Sequence, residues 1–312
     1  MTTAFVFPGQ GSQSVGMGKE LSDAFPAAKQ VFEAVDEALQ QRLSKIMFYG
    51  PEDQLTLTEN AQPAIMAVSL AILMALKSQG WCGLSGAASY AAGHSLGEYS
   101  AHAGSGTFSL ENTARLLKTR GRAMQQAVPV GEGAMAVLLG LGFNDAEAVA
   151  LEAAGEDVCD FANDNADGQV VVSGSCAAVQ RAVKIAKDKG AKVAKLLAVS
   201  APFHCKLMLP AARVMSESLA KVEMFEPTVP IVANASAKPV LDVLEIRRLL
   251  VKQVTARVRW RESVLVMRDA GVDHLVEVGF GKVLSGMIRR IDRALKVTNI
   301  GSVGEVDAFL NS

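Results

Sequence analysis

The sequence predicts an α/β protein: a large domain built on a parallel sheet, carrying one small inserted domain. Three observations predict it. Short apolar strands are separated by helical patterns, a Gly-x-Ser-x-Gly turn occupies positions 93–97, and the middle of the chain reads strand-helix-strand-strand-helix-strand. Strands alternating with helices need cover on both faces, which is the parallel arrangement. The length, 312 residues with 50% hydrophobic and 20% charged, suits two globular domains.

The elements follow in order. Thr3–Phe7 is a short apolar strand running into Pro8-Gly9-Gln10-Gly11-Ser12-Gln13. Helical patterns cover Asp23–Gln40 and Ala61–Gln79, and the apolar run Ala64–Leu76 after Gln62-Pro63 reads as a buried helix, too short to span a bilayer. The small apolar segment Ala87–Ala92 leads into Gly93-His94-Ser95-Leu96-Gly97, and a helix begins at about Glu98. That is the strand-turn-helix context of a nucleophile elbow, whose glycines remove the Cβ atoms a tight bend cannot hold. A helix over Leu110–Ala127 follows.

Then come a strand at Gly133–Leu141, a helix at Asn144–Ala154 with Asn144 as cap, and strands at Asp157–Ala162 and Gln169–Gly174 with 163–168 as the loop between them. A helix at Cys176–Lys189 and a strand at Lys192–Val199 complete a βαββαβ unit, which is ferredoxin-like. This predicts a small domain at 128–199 inserted into a large domain made of 1–127 and 200–312. Pro230–Ala233 and His274–Val278 are later buried strands.

A formal net charge of −1 gives no electrostatic case for binding nucleic acid or an anionic membrane. The first residues lack the basic and apolar regions of a signal peptide. Cys82, Cys159, Cys176 and Cys205 show no metal-ligand spacing, so they read as reduced thiols of a cytoplasmic protein without a metal site. Position 14 is Ser14, not the glycine a dinucleotide fingerprint needs.

A serine at an elbow needs a base, and the chain has four histidines. His94 lies inside the elbow, His102 on the following helix, and His274 beside a buried strand. His204 stands in Ser200-Ala201-Pro202-Phe203-His204-Cys205 and follows the serine in the order of hydrolase-like sheets. It is the expected base. No carboxylate stands out as a third member, so a backbone carbonyl is expected to orient the imidazole. The Gly9-Gln10-Gly11 turn can supply one oxyanion N–H and Leu96 the other. On the helix after the elbow, Arg115, Arg120 and Arg122 compete as a carboxylate clamp.

Together these segments resemble the malonyl-CoA:acyl carrier protein transacylases over nearly the whole chain. The resemblance is carried by Phe7–Gln13, Gly93–Ala101, Arg120–Met124, Asn163-Asp164-Asn165 with Gly168–Val171, Phe203-His204, Gln253, Trp260, Glu277-Val278-Gly279 and Gly281–Leu284. It implies a hydrolase-like large domain with a ferredoxin-like small one, Ser95 as nucleophile, His204 as base, and Gln10 and Leu96 as oxyanion hole. Arg120 would bind the malonyl carboxylate, Gln253 would help place the histidine, Asn165 would line the substrate entrance, and Phe203 would favour malonyl over a branched group. Malonyl-CoA and holo acyl carrier protein are the implied partners of a monomer that needs no cofactor.

Two departures stand out. Asp167 replaces a usual proline, and Gly104 and Gly106 interrupt a helix that is alanine-rich in the family. A basic stretch, Lys184–Lys195, is a candidate carrier-docking patch near the cleft. The rival readings are a serine esterase or thioesterase, and a binding module in which the elbow is a plain glycine-rich turn.

Overall fold

The structure, a computed structural model, describes residues 2–312 and among them ten strands in two sheets. In chain order these are β1 (Thr3–Phe7), β2 (Tyr90–Gly93), β3 (Gly133–Leu139), β4 (Cys159–Ala166), β5 (Gln169–Ser175), β6 (Val193–Leu196), β7 (Ile231–Ala233), β8 (Lys238–Val240), β9 (His274–Val278) and β10 (Lys296–Ile300). The larger sheet runs β10-β9-β1-β2-β7-β8; its first five strands are parallel and β8 returns antiparallel. The smaller sheet is antiparallel in the order β4-β5-β3-β6, the ferredoxin-like pattern.

Strand alternation divides the core of the larger sheet. Phe5 and Phe7 point to the face covered by the helix Thr58–Ser78, while Ala4 and Val6 point to the helices Trp260–Asp269 and Val283–Ile291. In the smaller sheet Ala136, Leu138, Val170 and Val172 pack under the helices Phe143–Ala154 and Cys176–Asp188. Met135 and Val171 point the other way, toward the larger sheet. Lys184, Lys187 and Lys189 therefore stand on the helix layer away from the cleft, whereas Lys195 of β6 pairs with Val137 on the other face of the sheet, so only part of the expected basic stretch lies away from the cleft.

Several elements differ from expectation for local reasons. The helix expected over Asp23–Gln40 is two helices, Lys19–Ala24 and Pro26–Leu39, with Phe25 extended between them. A residue before proline is pushed out of the helical region, and Pro26 itself suits a first turn. The helix Thr58–Ser78 starts before Pro63 and, at 21 residues, is long and apolar enough to cross a membrane; it is mostly buried as the core helix of this fold, with Met74 exposed. Gly142, not Asn144, caps the helix Phe143–Ala154.

β4 runs on through Asn163, Asp164 and Asn165 with two register shifts, leaving Asp167-Gly168 as a two-residue hairpin turn. Gly168 has φ 65°, so Asp-Gly replaces the usual proline with a favoured turn pair. Gly106, at φ 87°, lies beyond the helix Leu96–Gly104 and costs it nothing. A Cβ on Gly104 would stand 2.8 Å from Leu73 Cδ1, so that position is one of close packing.

Candidate active site

The site forms where the parallel strands end, as in other open α/β sheets. Gln10 follows β1, Ser95 follows β2 and Asn234 follows β7. Ser95 has φ 54° and ψ −109°, a conformation held from several sides. A Cβ on Gly93 would lie 1.9 Å from the Gly97 carbonyl carbon, and one on Gly97 would lie 2.2 Å from the Phe7 carbonyl oxygen. Asn234 clips the turn: its Oδ1 accepts from the Ser95 N–H at 2.7 Å, and its Nδ2 donates to the Gly93 carbonyl at 2.7 Å.

His204 Nε2 lies 2.8 Å from Ser95 Oγ, and His204 Nδ1 lies 2.9 Å from the Gln253 carbonyl oxygen. A carbonyl only accepts, so Nδ1 carries the proton and Nε2 presents its lone pair to the serine hydroxyl. Burial, with Arg120 nearby, pushes the imidazole pKa down to about 3, which keeps His204 neutral in the empty site. The other histidines stand elsewhere. His102 is buried against Thr107 Oγ1 at 3.2 Å, His274 bonds Thr298 at the opposite end of the sheet, and His94 Nε2 donates to Asn165 Oδ1 at 2.8 Å.

Arg120 lies on the buried stripe of the helix Leu110–Gln126, with Thr113, Leu117 and Met124. It is 1% exposed, whereas Arg115 and Arg122 reach outward to the Ala38 carbonyl and Glu59. Its Nη1 donates to Gln62 Oε1 at 2.8 Å, and its Nη2 to Gln253 Oε1 at 2.8 Å and Ser95 Oγ at 3.1 Å. Nε has no partner, and among the described residues no carboxylate lies within ion-pair distance. A buried cation held by amides and a hydroxyl favours an incoming anion.

Behind the serine, Glu98 is 1% exposed, and its Oε2 accepts from the Asn234 N–H at 3.0 Å and Gln253 Nε2 at 2.7 Å. Burial raises its pKa to about 7 against the lowering pull of these bonds and of Arg120.

A cavity of about 640 Å³ opens over these groups between the two sheets. Gln10, Ser95, Leu96, Arg120, His204 and Phe203 line it on one side, and Met135, Asn165 and Val171 on the other. Among the described residues, neither the Gln10 nor the Leu96 N–H donates to another protein group, so both are free to meet a developing oxyanion. Gln253 is fully buried and does not line the cavity, so it touches no substrate directly. It acts through what it holds: the His204 ring, Arg120 Nη2 and, by Nε2 at 3.0 Å, the Ser95 carbonyl.

Sequence reasoning missed Asn234, Gln62 and the setting of Glu98. Asn234 directly follows a buried strand, where site residues gather in such sheets, and Glu98 stands one turn after the serine. Gln62 has no local signal.

A strained serine at a strand end, a neutral imidazole on its hydroxyl, two free N–H groups and a buried cation define an acyl-transferring α/β enzyme of the serine type. The Acyl transferase domain family matches residues 4–307, and the chain belongs to that family. The malonyl CoA-acyl carrier protein transacylase of Bacillus subtilis is 42% identical over 310 residues, 99% of this chain and 96% of its own length. The crystal structure of an acyl-carrier-protein-S-malonyltransferase from Bartonella henselae superposes with a TM-score of 0.97 at 52% identity, covering 100% of this chain and 99% of that one. A malonyl-transacylase in complex with its type II PKS acyl-carrier protein superposes with a TM-score of 0.96 at 39% identity, covering 100% of this chain and 99% of that one.

Proposed function

We infer that this enzyme transfers the malonyl group from malonyl-CoA to the phosphopantetheine thiol of acyl carrier protein, supplying malonyl-carrier for fatty-acid elongation. The observation that carries the reading is Arg120, a buried guanidinium without a carboxylate, 3.1 Å from the hydroxyl that His204 is placed to activate.

In the first half-reaction His204 Nε2 takes the Ser95 proton as Oγ attacks the thioester carbonyl. The oxyanion is held by the Gln10 and Leu96 N–H groups, each contributing about 3 kcal/mol if it acts as oxyanion donors do elsewhere. The tetrahedral intermediate collapses, CoA thiolate leaves with the proton from His204, and a malonyl-Ser95 ester remains. The carrier thiol then gives its proton to His204 and attacks the ester, and Ser95 recovers its proton as it leaves. Arg120 binds the malonyl carboxylate in both steps, with Gln253 and Gln62 fixing its orientation. Asn165 and Phe203 shape the opposite wall and the floor against branched groups. The chemistry needs neither a metal nor a resident cofactor.

Residues 1–127 and 200–312 are read as the catalytic domain and 128–199 as the inserted domain. All the groups invoked come from one chain, consistent with a working monomer. The free thiols Cys82, Cys159, Cys176 and Cys205 suit the cytoplasm. The charge balance and the burial of the apolar helix Thr58–Ser78 favour neither nucleic acid nor membrane as a partner.

The deciding experiment is intact mass after brief mixing with malonyl-CoA, beside Ser95→Ala. A malonyl-sized gain that is absent in the variant and discharged by holo carrier protein supports transfer. Rapid discharge by water moves the assignment to a thioesterase, and no adduct removes the serine mechanism.

A further inference from the structure

Glu98 has no part in the steps above, yet it lies under the nucleophile, wired to the cation that meets the substrate. The Gln253 amide is the wire. Its Nε2 donates to Glu98 Oε2 at 2.7 Å, while its Oε1 accepts from Arg120 Nη2 at 2.8 Å. Both hydrogen bonds that reach Glu98 end on Oε2.

Charge counting then sets the problem. In the empty site one buried carboxylate faces one buried guanidinium across an amide. A substrate carboxylate on Arg120 makes two anions for one cation, in a region where water cannot screen them. Two carboxylates sharing a low-dielectric site do not both stay ionised easily. The titratable groups facing Glu98 are Arg120 from the helix Leu110–Gln126 and Tyr99 from its own helix; His204 stands one step away on the Gln253 carbonyl. The elements bearing Gln253 and Asn234 offer only neutral donors.

We propose that Glu98 is a positioning residue that balances Arg120 in the empty enzyme and takes up one proton from solvent when a substrate carboxylate occupies Arg120. The proton goes onto Glu98 as the malonyl carboxylate docks, and returns to solvent when the malonyl group departs on the carrier. The redistribution keeps Arg120 and Gln253 in place through both half-reactions. This rests on the malonyl-binding reading of Arg120. Burial raises the Glu98 pKa to about 7 and a second anion raises it further, so net proton uptake is expected on binding at and above pH 7.

The test is calorimetric binding of malonyl-CoA to the Ser95→Ala protein at pH 8, in two buffers of different ionisation heat, beside Ser95→Ala/Glu98→Gln. Acetyl-CoA serves as the control for protons taken by the CoA portion. The expected result is net proton uptake with malonyl-CoA, lost in the Glu98→Gln background and absent with acetyl-CoA. Glutamine keeps an acceptor for Asn234 and Gln253 but cannot titrate. Uptake that survives Glu98→Gln belongs to His204 and overturns the proposal, as does zero uptake in the parent. Absence of malonyl-CoA binding heat in the parent would instead strike the Arg120 reading. Should the double variant fail to fold, the infrared carboxylic-acid band of the Ser95→Ala protein decides: it must grow on malonyl-CoA binding and not on acetyl-CoA binding.

Discussion

On one side of the cavity the parallel sheet buries a connected polar set, Gln62, Glu98, Arg120, His204, Asn234 and Gln253, none more than 3% exposed. On the other, the antiparallel sheet presents Met135, Val171 and the amides of Asn163 and Asn165 over an apolar core packed by two helices. In the proposed mechanism one wall holds every group that changes charge or gains a bond, and the other supplies shape. Chemistry concentrates where parallel strand ends bring residues from distant parts of the chain together, and an antiparallel hairpin sheet is better suited to forming a lid.

The sharpest way to break this contrast is Ser95→Ala, for which a fall of about 10⁶-fold in malonyl transfer is expected, measured by carrier loading. Any comparable loss from a residue of β3–β6 would contradict the division. Acid sharpens it next. Burial lowers both His102 and His204 to about 3, and the antiparallel sheet, within 133–196, contains no histidine. From pH 6.5 down to 3 the unfolded chain binds protons that the folded one refuses, so the stability present above pH 6.5 is lost as pH falls. The loss is on the order of 1 kcal/mol per pH unit for each histidine. Hydrogen exchange should show parallel-sheet amides opening first on acidification; earlier opening of β3–β6 would count against this.

Arg120→Ala comes third. Loss of its charged hydrogen bonds should lower malonyl transfer about 10²-fold and leave acetyl transfer nearly unchanged, compared as kcat/KM. Equal losses on both substrates would remove the clamp. Smallest is the lid: Asn165→Ala, which unpairs His94, should raise KM by less than about tenfold with kcat nearly constant. A kcat collapse there would move Asn165 to the reacting side.

The fold was largely legible because its signals are local. Apolar runs, glycine spacing and the βαββαβ order each act within a few residues. The break at Pro26 is marked by the proline itself, although helical patterns lie on both sides of it. Ser95 and His204 stood out by turn chemistry and chain order. Arg120 could not be separated from Arg115 and Arg122 until the resemblance was used, although its place on the stripe with Thr113, Leu117 and Met124 marks it as the inward one. The reach of β4 through Asn165 was not legible, because asparagine and aspartate favour turns and only pairing with β5 overrides that preference. Asn234 and Gln62 act across 139 and 58 positions, a separation at which no local pattern speaks.

The Gln253 carbonyl on His204 has a consequence for what the ester does while it waits. In serine hydrolases a carboxylate in that place steadies the imidazolium with a full charge. A carbonyl offers only a dipole, which leaves the histidine a more reluctant proton acceptor. Ser95 overcomes that reluctance by being fixed 2.8 Å from the base, whereas a diffusing acceptor must rely on its own acidity, and a thiol is far more acidic than water. The expected consequence is an ester that a sulfur acceptor discharges faster than solvent does, checked by following loss of the malonyl adduct with and without a thiol.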